Sequence, residues 1–216
     1  MIGLNERENM NKNKLTDWDK YYQNPSSISI LTRKITEIKI LNILKKIKAK
    51  DETIHICELG GANSCFYEAI IKNFPNCRYT IIDNNQLGID LFNKKTNGRK
   101  LSNSILLDVK KGTLPILNAD IVLSVGLIEH FSPTITSLII KKHFELAKEN
   151  GHILITFPTK TWLYKLIRFV ITILGKWIFY DERPLSMTEV EKNISRHGII
   201  KIKETNWLIL LTQGIT

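Results

Sequence analysis

The chain has 216 residues, a formal net charge of +10, 43% hydrophobic residues and 24% charged residues. This length and composition are ordinary for a globular protein with one buried core. The three cysteines show no CxxC spacing, so neither a zinc site nor a disulfide framework is indicated. Such cysteine usage fits a reducing compartment, and a cytoplasmic protein is expected.

The positive charge would suit nucleic acid or an anionic membrane surface. The basic residues are spread along the chain, however, which favours a solvated surface, and nucleic acid is not an expected partner. Residues 1–14 are polar and contain no apolar run of a secretory signal. They are expected to form a disordered tail, and residues 15–216 a single domain.

Helices are predicted before the first strand. An aromatic cluster, Trp18-Asp19-Lys20-Tyr21-Tyr22, is expected to pack against another part of the protein. From Ile28 to Lys48, apolar residues recur at steps of three and four, which predicts a helix that caps the core. The region of about residues 15–50 is therefore interpreted as an N-terminal helical lid.

Strands and helices then alternate. The predicted strands are Ile54–Glu58, Arg78–Asp83, Asn103–Asp108, Asp120–Val125 and His152–Phe157. The predicted helices between them are Phe66–Asn73, Gln86–Asn97 and Pro133–Asn150. This alternation predicts parallel strands with helices on both faces, which is a doubly wound, Rossmann-like α/β sheet.

The C-terminal part departs from this alternation. A capping box predicts a helix over Ser186–Arg196. Two β-like runs, Ile199–Lys203 and Trp207–Leu211, follow and predict an antiparallel hairpin. The predicted sheet is therefore mostly parallel and seven-stranded, with a C-terminal antiparallel hairpin.

The most apolar stretch is Trp162–Tyr180, within an insert over about residues 160–180. A membrane-spanning helix needs about 20 mostly apolar residues, and Lys165, Arg168 and Lys176 interrupt this run. A helix that covers the mouth of the site is the main interpretation. Peripheral contact with a membrane is the alternative, because aromatic and basic residues flank the stretch.

A turn of small residues follows the first predicted strand, which ends at Glu58, and the second strand ends at Asp83. The turn lacks both the G-x-G-x-x-G pattern of dinucleotide binders and the G-K-[ST] of P-loops. Two acids suit a ligand that has hydroxyls and a positive centre. Asp83 would accept hydrogen bonds from ribose hydroxyls, and Glu58 would add negative potential near an ammonium or sulfonium group.

On these residues the chain resembles the class I S-adenosylmethionine-dependent methyltransferases, of the small-molecule, type 11/12-like group, over about residues 50–157. Segment 58–64 (Glu-Leu-Gly-Gly-Ala-Asn-Ser) corresponds to E/D-x-G-x-G-x-G, and segment 107–109 to the stretch that borders the adenine. Segment 124–131 resembles the hydrophobic run followed by E-H-[LIF] after the fourth strand.

The resemblance implies S-adenosyl-L-methionine as the cofactor and no metal. The implied cofactor-binding residues are Glu58, Gly60, Gly61, Ala62, Asp83, Asn84, Asp108, Val109, Ser124 and Gly126. Ala62 and Ser64 stand where the family has glycines. Because alanine is restricted at positive φ, the turn is expected to be less permissive but to keep cofactor binding.

The implied reaction is methyl transfer to a small-molecule acceptor, such as a hydroxyl of a sugar, a lipid-linked compound or a secondary metabolite. His130 is the candidate general base, since it follows the fourth strand at the ligand-binding edge of the sheet. Glu129 and His130 would otherwise only shape the pocket. The candidate acceptor contacts are Tyr21, Tyr22, His130 and Trp162. The alternatives are an RNA-directed methyltransferase and a non-catalytic cofactor-binding protein.

Overall fold

The computed structural model describes residues 15–23, 27–47, 53–206 and 213–215. The predicted tail over residues 1–14 and the predicted strand Trp207–Leu211 lie outside these residues. The helices are α1 Trp18–Gln23, α2 Ser27–Ile47, α3 Tyr67–Asn73, α4 Gln86–Thr96, α5 Pro133–Leu146, α6 Trp162–Ile173 and α7 Met187–Ile194. The strands are β1 His55–Leu59, β2 Arg78–Asp83, β3 Ser102–Leu106, β4 Ala119–Val125, β5 Ala147–Pro158, β6 Glu204–Asn206 and β7 Gln213–Ile215.

Five parallel strands form the body of the sheet, in the order β3-β2-β1-β4-β5. Every residue of β1 is buried, as expected for a parallel strand covered on both faces. The chain order reverses between β1 and β4, and this switch point opens a crevice at the carboxyl edge of the sheet. The predicted α/β fold with a parallel sheet is confirmed.

Successive side chains of the strands serve two separate cores, one on each face of the sheet. One face of β1 and β2 supplies Ile56 and Ile81, which pack with α2, α3 and α4. The other face supplies Cys57 and Ile82, which pack with α5 and α7. The N-terminal helix α2 belongs to the first core, because its Leu44 is fully buried there.

The boundary between α5 and β5 differs from the prediction. The helix ends at Leu146 rather than at Asn150, and Asn150 instead takes a left-handed conformation with φ 59° inside β5. Gly151 does not end the helix. A Cβ atom there would lie 2.9 Å from the carbonyl oxygen of Lys148 and 3.1 Å from that of Ala119, so the glycine permits a close approach of backbone to backbone.

The C-terminal strands are not where the sequence pattern placed them. The run Ile199–Lys203 has no regular structure. Ile200 and Ile202 would face the same side in a strand, but they pack against different cores. The three-residue strands β6 and β7 lie beyond β5, where β7 pairs antiparallel with both β5 and β6. Helix α7 begins as predicted, with the Ser186 side chain accepting a hydrogen bond from the Glu189 N–H at 3.1 Å.

Candidate functional site

The turn after β1 is built on two glycines. Gly60 has φ 68°, and its N–H donates to the carbonyl oxygen of Ile82 at 2.9 Å. A Cβ atom on Gly60 would lie 2.7 Å from the Leu127 side chain, and one on Gly61 would lie 2.6 Å from the Glu58 side chain. Non-bonded carbon atoms do not approach this closely, so a larger residue at either position would displace the neighbouring side chain, and Gly60 also has a φ that other residues rarely adopt.

Ala62 does not carry the strain that its place in the motif suggested. The described residues other than glycine with positive φ are Asn97, Asn118 and Asn150. The N–H of Ala62 donates to Asp83 Oδ2 at 3.1 Å, and its methyl group fills space beside Gly88. A Cβ atom on Gly88 would lie 2.3 Å from that methyl group, so the alanine of the turn depends on a glycine in the first turn of α4.

Asp83 ends β2 and is fixed by backbone donors. In addition to the bond from Ala62, its Oδ1 accepts from the N–H of Asn85 at 2.8 Å. Asn85 in turn caps α4 by accepting from the Gly88 N–H at 2.6 Å. Burial raises the pKa of Asp83 above its ordinary value, although these backbone bonds oppose the shift. Asn84 supplies a third backbone bond, and a carboxylate with about four acceptor positions keeps at least one for a ligand.

Glu58 is a buried residue of the cavity wall, and its side chain lies against Gly61 of the turn. Its Oε2 accepts a hydrogen bond from the Tyr79 hydroxyl at 2.7 Å, and both side chains are buried. Burial raises the pKa of Glu58 to about 7. The carboxyl group therefore supports the turn and places negative potential beneath it when it is ionised.

A cavity of about 930 Å³ opens at the carboxyl edge of the sheet, within the ~300–1,000 Å³ range of small-molecule sites. It brings together most of the residues predicted for the cofactor and the acceptor. The predicted residues that line it are Glu58, Gly60, Gly61, Asp83, Asn84, Gly126, His130, Tyr21 and Tyr22.

Aromatic side chains wall the cavity on the side of α1. Trp18 lies edge-on to His130, with ring centroids 5.0 Å apart, and Tyr21 lies edge-on to Phe179 at 5.3 Å. Tyr22 sits at the other end, where burial and the nearby Asp83 raise the pKa of its hydroxyl. The predicted packing of the N-terminal aromatic cluster therefore takes place over the site.

His130 is held by a partner that the sequence did not indicate. Its Nδ1 lies 3.0 Å from Asp181 Oδ1, and the hydroxyl of Thr16 also donates to that oxygen. Burial raises the pKa of Asp181, but the bonds from His130 and Thr16 outweigh burial and bring the pKa below its ordinary value. An ionised Asp181 favours the tautomer with hydrogen on Nδ1, which leaves Nε2 of His130 as a proton acceptor.

Two further acids of the cavity wall have an unpaired oxygen. Within the described part of the chain, Glu129 Oε2 and Glu182 Oε1 are buried and have no hydrogen-bond partner. Burial raises the pKa of each group to about 8. The two segments are adjacent, since the N–H of Arg183 donates to the carbonyl oxygen of Glu129 at 2.9 Å. Both oxygens are shielded from solvent, so a ligand would reach them only after a neighbouring side chain moves.

Some predicted site residues lie elsewhere. Ser124 is buried on the α5 side of the sheet, 2.9 Å from His143 Nε2, because alternate residues of a strand face opposite sides. Val109 belongs to the core, and Asp108 accepts from the N–H of Lys110 at 2.9 Å. Trp162 is 68% exposed, on the face of α6 that points away from the cavity. The residues predicted for the site that do not line the cavity are Ala62, Asp108, Val109, Ser124 and Trp162.

The site contains polar and aromatic side chains but no set of metal ligands. Over the residues that the structure describes, no three His, Cys, Asp or Glu side chains are grouped so that they could hold an ion.

Solved structures with the same fold were found, although no protein-family model and no curated protein matches the sequence. The methyltransferase SibL, S-adenosylmethionine-dependent and solved in its apo form, aligns with TM-score 0.64 and 14% identity over 94% of this chain and 61% of that chain. An O-methyltransferase family protein from Burkholderia thailandensis aligns with TM-score 0.63 and 12% identity, covering 83% of this chain and 55% of that one.

A third structure is similar along nearly its whole length. It is magnesium protoporphyrin IX methyltransferase (ChlM) from Synechocystis PCC 6803 with bound SAH, with TM-score 0.72 and 12% identity, covering 92% of this chain and 91% of that chain. The chain spans only part of the first two proteins, and at these identities the likeness concerns the fold. The chain thus has the fold of the class I S-adenosylmethionine-dependent methyltransferases, as the sequence motifs predicted.

Proposed function

We propose that the protein transfers the methyl group of S-adenosylmethionine to a hydroxyl of a small molecule. The observation that carries this proposal is the cavity at the switch point of the sheet. It joins the glycine turn and Asp83 at one end to a His130–Asp181 pair at the other. The cofactor supplies a methyl group already activated as a sulfonium, so the protein has to position the acceptor and remove its proton.

The turn and the end of β2 form the proposed cofactor half. Gly60 and Gly61 leave the backbone open to the amino-acid end of the cofactor, and Asp83 accepts hydrogen bonds from the ribose hydroxyls. A hydrogen bond to a charged group is worth about 1.5–3 kcal/mol. Asp83 is held in place before the ligand arrives, because Ala62 and Asn85 already donate to it.

The proposed acceptor half lies between β4 and the segment around Asp181. His130 takes the proton of the acceptor hydroxyl at Nε2, and Asp181 stabilises the imidazolium that forms. Glu129 and Glu182 add polar carboxyl groups to the wall of this half. Trp18 and Phe179 cover apolar surface. An acceptor with several hydroxyls and an apolar face suits this set, as in a sugar, a lipid-linked compound or a secondary metabolite.

Titration calorimetry with S-adenosylmethionine tests the cofactor half. We expect micromolar binding to the wild-type protein, and binding at least about tenfold weaker to Asp83→Ala, since tenfold corresponds to the loss of about 1.4 kcal/mol. Asp83→Asn keeps an acceptor oxygen for Asn85 and should also weaken binding through the lost charge.

Asp90→Ala is the matched control, because this acid is exposed on α4 and is absent from the cavity lining. Its affinity should equal that of the wild type. Undiminished affinity in a folded Asp83→Ala variant would refute the assignment of the cofactor site. Binding without any methyl transfer to hydroxyl acceptors would instead indicate a non-catalytic cofactor-binding protein.

A further inference from the structure

Helix α6 presents an apolar stripe to solvent. Large hydrophobic side chains on its outer side are between 46% and 68% exposed. Four of them follow one another at steps of four, three and four residues, which places them on one helix face. We call this face the outer stripe, and its members are Trp162, Leu166, Phe169 and Ile173.

The opposite side of α6 is apolar as well. Tyr164, Ile167 and Ile171 line the cavity, so this helix forms part of the wall of the site. Lys165, Arg168 and Thr172 form one polar side, but apolar surface extends from the cavity side round to the outer side, and the apolar surface of a helix is normally buried. The outer stripe is not covered by the described residues, and a contiguous exposed patch of this kind marks an interaction surface.

The charges around the stripe have one sign. Between residues 159 and 180 the sequence has Lys160, Lys165, Arg168 and Lys176 and no acidic residue. Arg168 is part of the structure, since it donates to the carbonyl oxygen of Glu182 at 2.9 Å and lies 5.1 Å from the Trp177 ring centre. Lys160, two residues before α6, and Lys165, next to Leu166 on the helix, are exposed and could meet an anionic partner, whereas Lys176 lines the cavity.

We propose that the outer stripe docks on the surface of a bilayer that contains anionic lipid. Apolar side chains would enter the boundary between headgroups and acyl chains to a depth of about 5–10 Å, as they do in interfacial helices. Lys160 and Lys165 would contact anionic headgroups, and Trp162 suits the headgroup level. The helix lies on the bilayer rather than across it, because no helix in the described part of the chain has the length and low polarity that a span requires.

Charge favours a lipid surface over a second copy of this chain. In a symmetric dimer the same patch faces itself, which would bring the lysines of both copies together without acidic partners. Like charges in such a position oppose association. An anionic bilayer provides both the apolar layer and the complementary charge.

Docking on a bilayer would favour an acceptor that is itself anchored in the membrane. Because the inner side of α6 lines the cavity and its outer stripe would touch the bilayer, an amphiphilic acceptor anchored in the membrane would reach the site past this helix. The choice of a lipid-linked acceptor rests on the proposed methyl transfer. The docking itself does not depend on that reaction.

Sedimentation with vesicles tests the docking. The full chain is mixed with vesicles of phosphatidylcholine alone or with added phosphatidylglycerol, and the bound fraction is measured against lipid concentration. We expect binding at least about tenfold tighter to the anionic vesicles, and weaker binding at high salt. The double variant Leu166→Asp/Phe169→Asp should lose at least about tenfold in affinity.

Ile116→Asp provides the matched control, because Ile116 is 88% exposed and lies outside α6. This variant also replaces an exposed apolar side chain with aspartate, and its affinity for vesicles should equal that of the wild type. The proposal is overturned if wild-type protein does not bind anionic vesicles at low salt, or if the double variant binds as well as the control. It is equally overturned if sedimentation velocity shows a dimer that the double variant abolishes, since the stripe would then bind a second copy.

The same variants separate this proposal from the proposed function. S-adenosylmethionine affinity of the double variant should match that of the wild type, because the replaced side chains do not line the cavity. Loss of vesicle binding with unchanged cofactor binding supports the docking. If the protein binds vesicles but does not bind S-adenosylmethionine, the docking proposal is supported and the proposed methyl transfer is refuted.

Discussion

Replacing His130 with Gln should lower kcat for methyl transfer by about 100-fold or more, in the range that positioned general bases contribute. The affinity for S-adenosylmethionine should change little, because His130 lies at the acceptor end of the cavity, beside Asp181 and Trp18. Steady-state kinetics with an identified hydroxyl acceptor, together with calorimetry for the cofactor, separates the two effects.

Asp181 acts through His130 and is a positioning residue. Asp181→Asn should lower kcat less than His130→Gln does, and the double variant should be no worse than His130→Gln alone, because the two changes remove one function. His197→Gln is the matched control, since His197 is exposed and contacts Phe144 instead of the cavity. An unchanged kcat in His130→Gln would show that positioning alone drives the transfer.

The protein without ligand should lose stability as the pH rises from about 5 to about 9, and Glu129→Gln should reduce that loss. Burial raises the pKa of Glu129 from its ordinary value of 4.5 to about 8, so the folded protein holds a proton that the unfolded chain releases. Between these two pH values the unfolded state binds fewer protons, and the free energy of unfolding falls as the pH rises.

The raised pKa of Glu129 predicts a difference in stability between the wild type and Glu129→Gln that depends on pH. Each unit of pKa shift corresponds to about 1.4 kcal/mol, so Glu129→Gln should be at least that much more stable than the wild type near pH 9. Near pH 5 the two proteins should agree within about 1 kcal/mol, the scale of one hydrogen bond. Urea unfolding at both pH values measures this.

Glu145→Gln changes an exposed acid on α5 and should show no such dependence on pH. If Glu129→Gln is no more stable than the wild type near pH 9, the acid is ionised in the folded protein without cost. An unseen partner for its carboxylate would then be required.

Much of the cofactor half could be predicted from the sequence because its determinants are local. The turn directly follows β1, and Asp83 is the last residue of β2, so neighbouring parallel strands bring them to the same edge. The hydrogen bond from the Ala62 N–H to Asp83 joins the turn directly to the end of β2. Alanine is tolerated at position 62 because the turn does not give this residue a positive φ.

The acceptor half could not be predicted in the same way. Asp181 and Glu182 follow α6 and reach the site only through the path of an irregular segment, which no periodic pattern describes. Asp181 lies 51 positions from His130, and no fixed spacing connects an acid of this kind to a histidine after β4. The contact between His130 and Asp181 depends on the tertiary packing of their two segments.

The sequence motifs also could not predict the direction in which each side chain points. The motif after β4 predicted both Ser124 and Gly126 for the site, but Ser124 faces α5 within the strand while Gly126 lies past the strand's end in the cavity wall. The two sides of α6 could not be distinguished from the sequence either, because both are apolar. Hydrophobicity alone could not show that Tyr164 lines the cavity while Trp162 faces outward.

A crystal structure of the protein with bound S-adenosylhomocysteine, the product of the proposed reaction, tests the central claim most directly. We predict both ribose hydroxyls within about 2.5–3.2 Å of the Asp83 carboxylate, a hydrogen-bond distance. The amino-acid end should lie against Gly60 and Gly61, with the sulfur facing the side of the cavity that holds His130. A nucleoside bound away from Asp83, or a cavity that stays empty at saturating ligand, would contradict the account.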